Sequence, residues 1–322
     1  MGTSAFRPHA LVKTAPLWPA ASRAEELLHT ARRATLGVLP PSGPHATPVA
    51  VAWHGGRLWA LAPRRSLKVR SLCVQPQAGA LVESAAGTMT LGGRALVVDP
   101  LRPSPRLLPL LLPSGLASAR YLSLHAADAL RIVQEALAGL VRRLDPGGLA
   151  PRAVIALRPD WAAVLDGGAE VERWGSPPKV AALGAGDPGG VRRADLRSLP
   201  APARELCDRR GPATLTIRVG PAPVVLPCRW DGHRGAVTLE PGAFTLLPSI
   251  RGGLPACVTL AGGDGTGLAA KSGVLLRGAI DPPDAGARTV VLHARCAVWW
   301  RGHETARARP QPRPADRRRR AD

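Results

Sequence analysis

Short apolar runs, each closed by a turn rich in Gly or Pro, fill most of this chain, and long helical periodicity is found in one place only. Such punctuation favours antiparallel strands joined by hairpins over a parallel sheet with crossover helices. Residues 34–39, 46–53 and 57–62 read as strands, the last two joined through His54-Gly55-Gly56, a strong hairpin signal. Ser22-Arg-Ala-Glu25 fits a capping box opening a helix to about Arg33. Residues 66–74 read as a short helix stopped before Pro76, and 78–83 with 88–98 as another hairpin. Helical spacing runs from Ser118 to Arg143, after which 153–157 and 161–165 return to strand.

The same pattern then recurs. After a Pro- and Gly-rich stretch at 176–200 come a short helix at 203–210, a strand at 213–219 and a hairpin around Asp231-Gly232. Trp53-His-Gly-Gly-Arg57 matches Trp230-Asp-Gly-His-Arg234 at an offset of 177, with almost no identity elsewhere. A period this long implies a duplicated domain and not a solenoid. The expected division is therefore a disordered 1–21, a first domain at 22–175 with a helical insertion at 101–149, and a linker at 176–200. A second, degenerate domain follows at 201–304, and a disordered basic tail at 305–322.

Charge narrows the function classes. Lys plus Arg number 43 against 23 Asp plus Glu, a net charge of +20. Part of that excess lies in the Arg-rich tail, but the body stays basic and suits a phosphorylated ligand or an acidic partner. A nucleic-acid role rests on charge alone: no recognised motif occurs, and one Tyr and two Phe leave few stacking groups besides Trp. No apolar run reaches membrane length, and Lys13, Pro16 and Pro19 interrupt any signal-peptide core. The five cysteines form no CxxC pair, and no HExxH or GxSxG occurs, so a disulfide framework, a zinc site and a serine hydrolase are all disfavoured. The chain reads as a soluble cytoplasmic protein without a metal.

The most informative segment is Ala62-Pro-Arg64-Arg65-Ser66-Leu-Lys68-Val-Arg70, which sets four cations and a hydroxyl at a strand-to-helix junction. A helix N-terminus offers free N–H groups to a phosphate; Arg64 can grip one as a fork, and Lys68 adds a point charge. The plainer alternative is that Ser66 caps the helix and the cations are a solvated face. The matching stretch of the second half, 241–247, carries no charge, which favours one ligand site and one degenerate partner. His45 and His54 lie beside this segment, but a histidine in a turn is more often an exposed polar residue.

Residues 29–99 resemble the flavin-binding split barrel of the pyridoxamine-phosphate-oxidase-like family, which includes deazaflavin-dependent reductases. The resemblance lies in Arg33-Ala-Thr-Leu-Gly-Val38, His45-Ala-Thr-Pro-Val49, Trp53-His-Gly-Gly-Arg-Leu-Trp59, Arg64-Arg-Ser-Leu-Lys-Val-Arg-Ser-Leu72, Gln75-Pro76 and Gly93-Arg-Ala95. It implies a mainly β fold: two antiparallel Greek-key split barrels in one chain, packed as the internal counterpart of a dimer that binds cofactor at its interface. It also implies Thr47, Pro48 and Val49 along an isoalloxazine ring, and Arg64, Ser66 and Lys68 at its phosphate. Trp59, Leu61 and Ala62 would line the pocket between them. FMN is the expected cofactor, with F420 next and haem third, serving flavin-mediated hydride or electron transfer on a small-molecule substrate. A non-catalytic module that stores or senses such a ligand is the alternative. Three departures stand out: Gln75 replaces the usual Asn, residues 101–149 interrupt the first barrel, and the second barrel lacks the phosphate residues.

Overall fold

The computed structural model describes residues 18–19, 22–84, 86–99, 115–125 apart from 118 and 122, 152–178, 194–247, 253–262, 272–281, 287–301 and 304–312. Helix α1 (Arg23–Thr30) precedes β1 (Arg33–Val38), β2 (His45–His54), β3 (Arg57–Pro63), α2 (Leu67–Val74), β4 (Gln77–Ser84), β5 (Gly87–Val98), β6 (Arg152–Asp166) and β7 (Ala169–Trp174). The strands lie in the order β3-β2-β1-β4-β5-β6-β7, all pairs antiparallel, and β3 also pairs with β6 to close a barrel. Placing β4 beside β1 after two hairpins makes the connection a Greek key.

The second half begins with β8 (Ala194–Asp195), α3 (Ala201–Cys207), β9 (Arg210–Val219), β10 (Ala222–Asp231), β11 (Ala236–Leu239) and α4 (Pro241–Thr245). It continues with β12 (Leu254–Gly262), β13 (Ser272–Ile280), β14 (Thr289–Arg301), β15 (Glu304–Ala308) and β16 (Gln311–Pro312). The order β11-β10-β9-β12-β13-β14-β15, closed by β11 on β14, repeats the first sheet strand for strand. Glycine is required where both barrels bulge. A Cβ at Gly93 would stand 2.0 Å from the Arg158 carbonyl oxygen, and one at Gly278 1.9 Å from that of His293.

Those bulges give a common origin for counting residues. Val51 reaches Ile155 through Ala60, four residues before the Pro159 that pairs with Gly93. Trp230 reaches Val290 through Val237, four residues before the Ala294 that pairs with Gly278. Trp230 therefore corresponds to Val51, not to Trp53, and Pro227 corresponds to Pro48. The offset of 177 is corrected to 179 in this strand and returns to 177 at Ala60 and Val237, because the second hairpin is two residues shorter between these points. A slip of two residues keeps every side chain on its face, which is why the hydrophobic pattern matched regardless.

Three expectations about the termini and linker are corrected. Trp18, placed in a disordered leader, is 2% exposed and stacks on Trp53 with ring centroids 5.5 Å apart. Both indoles donate to Glu25, Trp18 to Oε2 at 2.7 Å and Trp53 to Oε1 at 2.9 Å. Glu25 therefore pins the leader to the barrel instead of closing the capping box, while Ser22 Oγ still accepts from Glu25 N. The tail expected to be disordered from Thr305 instead supplies β15, the last strand of the second sheet, and β16. β16 pairs with β8, whose two residues lie inside the expected linker. Much of the expected insertion at 101–149, including most of its helical stretch, lies outside the described residues.

The barrels meet across an interface of unequal halves. Val225 on β10 presses on Gly37, where an added Cβ would lie 2.6 Å from Val225 Cγ2, and its carbonyl accepts from Thr90 Oγ1. On the other side the corresponding residue is small: Ala46 packs with Cys257, Leu275 and Trp300. A bulky residue meets glycines on one flank, and a small residue meets bulky ones on the other. Complementary packing of this kind joins two different surfaces, so the pseudo-dimer is asymmetric by construction.

Candidate functional site

The junction after β3 brings together the basic candidates, with one addition that the sequence did not reveal. Ser66 N donates to Pro63 O at 2.9 Å, turning the chain, and Ser66 Oγ caps α2 by accepting from Val69 N at 3.3 Å. Val69 and Leu72 bury one face of α2 against the first barrel and fix its N-terminus in place. Arg64 is already partnered: its Nε and Nη2 lie 2.8 and 2.6 Å from Asp99 Oδ2, just beyond the end of β5. Arg65 and Arg70 are exposed. Lys68 Nζ donates to Thr47 Oγ1 at 2.5 Å, which joins the phosphate group of candidates to the ring group.

The other candidates divide between the two faces of the barrel wall. Val49 and Ala62 point into the first core, while Pro48 is half-buried on the opposite side of β2. Trp59 and Leu61 face outward, but not to solvent: Trp59 packs with Ala117, and Leu61 with Tyr121. A cavity of only about 10 Å³ remains between them, barely the volume one water requires. Strand alternation explains the split, since Leu61 and Ala62 are neighbours in sequence and must face opposite ways. Trp59 Nε1 donates to His54 O at 2.7 Å, so its ring is fixed in this packing.

Charge crosses from the second barrel into this region. Arg277 on β13 donates to Pro44 O at 3.0 Å, to Ser42 Oγ at 2.8 Å and to His45 Nδ1 at 3.2 Å. Burial, then the Lys68 and Arg277 charges, lower the His45 pKa to about 3, so it is a neutral acceptor throughout the physiological range. Burial alone brings Lys68 from 10.5 to about 8. A cation at Lys68 is therefore present below about pH 8 and lost above it. Phosphate-dependent binding should weaken as pH rises through 8, where an ordinary lysine would hold to pH 10. Calorimetry at pH 8.5 in buffers of differing ionisation enthalpy should register proton uptake on binding.

The second barrel's junction cannot serve in the same way. α4 starts after Glu240, a carboxylate at the position Ser66 holds for α2. The β6–β7 turn of the first barrel lies over it: Gly242 N donates to Gly168 O at 2.7 Å, and Thr245 Oγ1 to Glu170 Oε2 at 3.1 Å. A Cβ at Gly242 would be 2.4 Å from Glu170 N, so backbone fills the space a ligand would need. Among the described residues no cluster of His, Cys, Asp and Glu could hold a metal, and no helix is long and apolar enough to cross a membrane.

No family model matches this chain, and no curated protein does. Solved structures match about half of it at a time. A pyridoxamine 5'-phosphate oxidase-related, FMN-binding protein from Nostoc punctiforme is 19% identical over 46% of this chain and 84% of its own, with a TM-score of 0.35. An F420 reductase is 18% identical over 45% and 98%, with a TM-score of 0.31. A heme binding protein from Mycobacterium smegmatis is 20% identical over 50% and 64%, with a TM-score of 0.33.

Proposed function

We propose that this chain binds one flavin mononucleotide and uses it in a redox reaction on a small substrate, with F420 as the alternative cofactor. The observation that carries this reading is the inequality of the two strand-to-helix junctions. One presents Ser66, Lys68 and two exposed arginines, while its counterpart presents Glu240 under a lid of backbone. The donor set suits a phosphate: the free N–H groups at the start of α2, the Lys68 ammonium, and Arg64 if the ligand competes with Asp99. Thr47 would orient Lys68 through their hydrogen bond, and the Thr47–Pro48 backbone would flank the ring. Bound there, flavin supplies hydride chemistry, and the protein supplies orientation and charge. Asp99→Asn should release Arg64 and tighten phosphate binding several-fold, measured by titration with FMN.

The direct test is the visible spectrum of the purified protein, with the released chromophore identified by mass and counted per chain. FMN at one per chain supports the proposal; two equivalents overturn the asymmetry, and a colourless protein that binds neither flavin nor F420 overturns the function.

A second reading, a module that holds flavin or haem without catalysis, is favoured by one observation. Ala117 and Tyr121 cover Trp59 and Leu61, closing the face on which a substrate would approach. Stopped-flow mixing with NADPH, NADH or reduced F420 separates the two readings, because bound flavin that no donor reduces belongs to a binder.

A further inference from the structure

A large cavity, lined by none of the residues of the β3–α2 junction, lies on the outer face of the second barrel. It measures about 650 Å³ and opens between that sheet and the Pro41–Gly43 turn of the first barrel. Five arginines line it, Arg218, Arg277, Arg295, Arg307 and Arg309, and no carboxylate does. None of the five forms an ion pair among the described residues. From these features we infer that the cavity is a binding site for a polyphosphate chain, whether free or carried on a nucleotide.

The sheet itself arranges the cations. Arg218 lies on β9, Arg277 on β13, Arg295 on β14 and Arg307 on β15, with Pro255 of β12 filling the place between the first two. Arg295 is the extra residue of the β14 bulge, since Gly278 pairs with Ala294 and Arg277 with Cys296. The bulge sets two consecutive residues, Arg295 and Cys296, between the core residues Ala294 and Ala297, and both line the cavity. From β9 to β15 the row crosses four interstrand steps, about 19 Å at ~4.8 Å each. That exceeds what one phosphate can reach and suits a linear run of them.

A solvated surface explains Arg218, Arg295, Arg307 and Arg309 taken singly, because all are exposed. It does not explain Arg277, which is 9% exposed and whose hydrogen bonds all go to neutral acceptors. A buried guanidinium without a counter-charge is costly, and four more cations around it raise that cost. A bound polyanion removes both penalties. The lining lacks aromatic side chains, so a nucleobase gains no stacking, and the phosphates must carry the affinity. The site does not rest on the flavin reading, and its test keeps the two apart.

Titration of the full chain with inorganic triphosphate at physiological salt should give one saturable site. ATP should bind about as tightly as triphosphate, and adenosine not at all; much tighter ATP binding would mean that the base is recognised, and would overturn a site read from phosphates. Arg295→Ala and Arg307→Ala, both at exposed positions, should each weaken binding about ten- to hundredfold. The double variant Arg204→Ala/Arg229→Ala, exposed on the same barrel outside the cavity, should bind as the parent does. So should Lys68→Ala. If Lys68→Ala abolishes triphosphate binding while Arg295→Ala and Arg307→Ala do not, the anion sits at the β3–α2 junction and the inference falls. It falls equally if every arginine variant loses affinity alike, or if a single-stranded oligonucleotide binds as well and ignores the cavity variants.

Discussion

Gly37→Ala is expected to destabilise the chain by about 2–3 kcal/mol, and Val225→Ala introduced with it to recover part of that loss. The new methyl would stand 2.6 Å from Val225 Cγ2 and 3.2 Å from Thr216 Cγ2, distances a packed interface cannot absorb without moving β10. Val225→Ala alone removes two buried methyl groups and should cost about 2 kcal/mol. Together the changes should cost less than their sum, with a coupling of about 1–2 kcal/mol in chemical denaturation. Gly79 provides the contrast. A Cβ there would meet the Pro223 carbonyl oxygen at 2.6 Å as well as Val225 Cγ2 at 3.0 Å, so Gly79→Ala should be comparably harmful and gain less from Val225→Ala, which leaves the backbone clash in place. Strict additivity at Gly37, or a Gly37→Ala chain as stable as the parent, would mean that the barrels do not press together along this flank.

That flank shows where sequence reading stopped. Turn chemistry is local, so the Gly55-Gly56 hairpin, with φ of 59° and 70°, and the Ser66 cap were both legible. The antiparallel strand class was legible for the same reason, because alternation and punctuation are properties of neighbouring residues; the closed barrel followed only from the family resemblance. Register was not: a two-residue slip preserves the pattern, and only the bulge glycines reveal that Trp230 answers Val51. Partners from distant strands were equally hidden. Nothing near Arg64 in sequence announces Asp99, and Trp18 looked like part of a leader because its partners, Glu25 and Trp53, are on other elements. The arginines of β13 to β15 were not singled out in the sequence for the same reason. Arg277, Arg295 and Arg307 come from three separate strands, and the sheet brings them into one cavity.

The hidden partner of Arg64 changes what its removal should do. Lys68→Ala takes one charge-assisted contact from a bound phosphate, worth ~1.5–3 kcal/mol, and should weaken FMN binding about ten- to hundredfold at pH 7. Riboflavin has no phosphate, so its affinity should hardly change, and the ratio of the two ligands isolates the contact from any loosening of the fold. Arg64→Ala should do at least as much, for a different reason. It removes a potential phosphate fork and also takes the Arg64 cation from beside Asp99, a carboxylate where the ligand is anionic. Arg64→Ala with Asp99→Asn should therefore bind FMN more tightly than Arg64→Ala alone, although the second change adds no positive charge. Equal losses for FMN and riboflavin in Lys68→Ala would place the phosphate elsewhere. A double variant no better than Arg64→Ala would mean that Asp99 does not face the ligand.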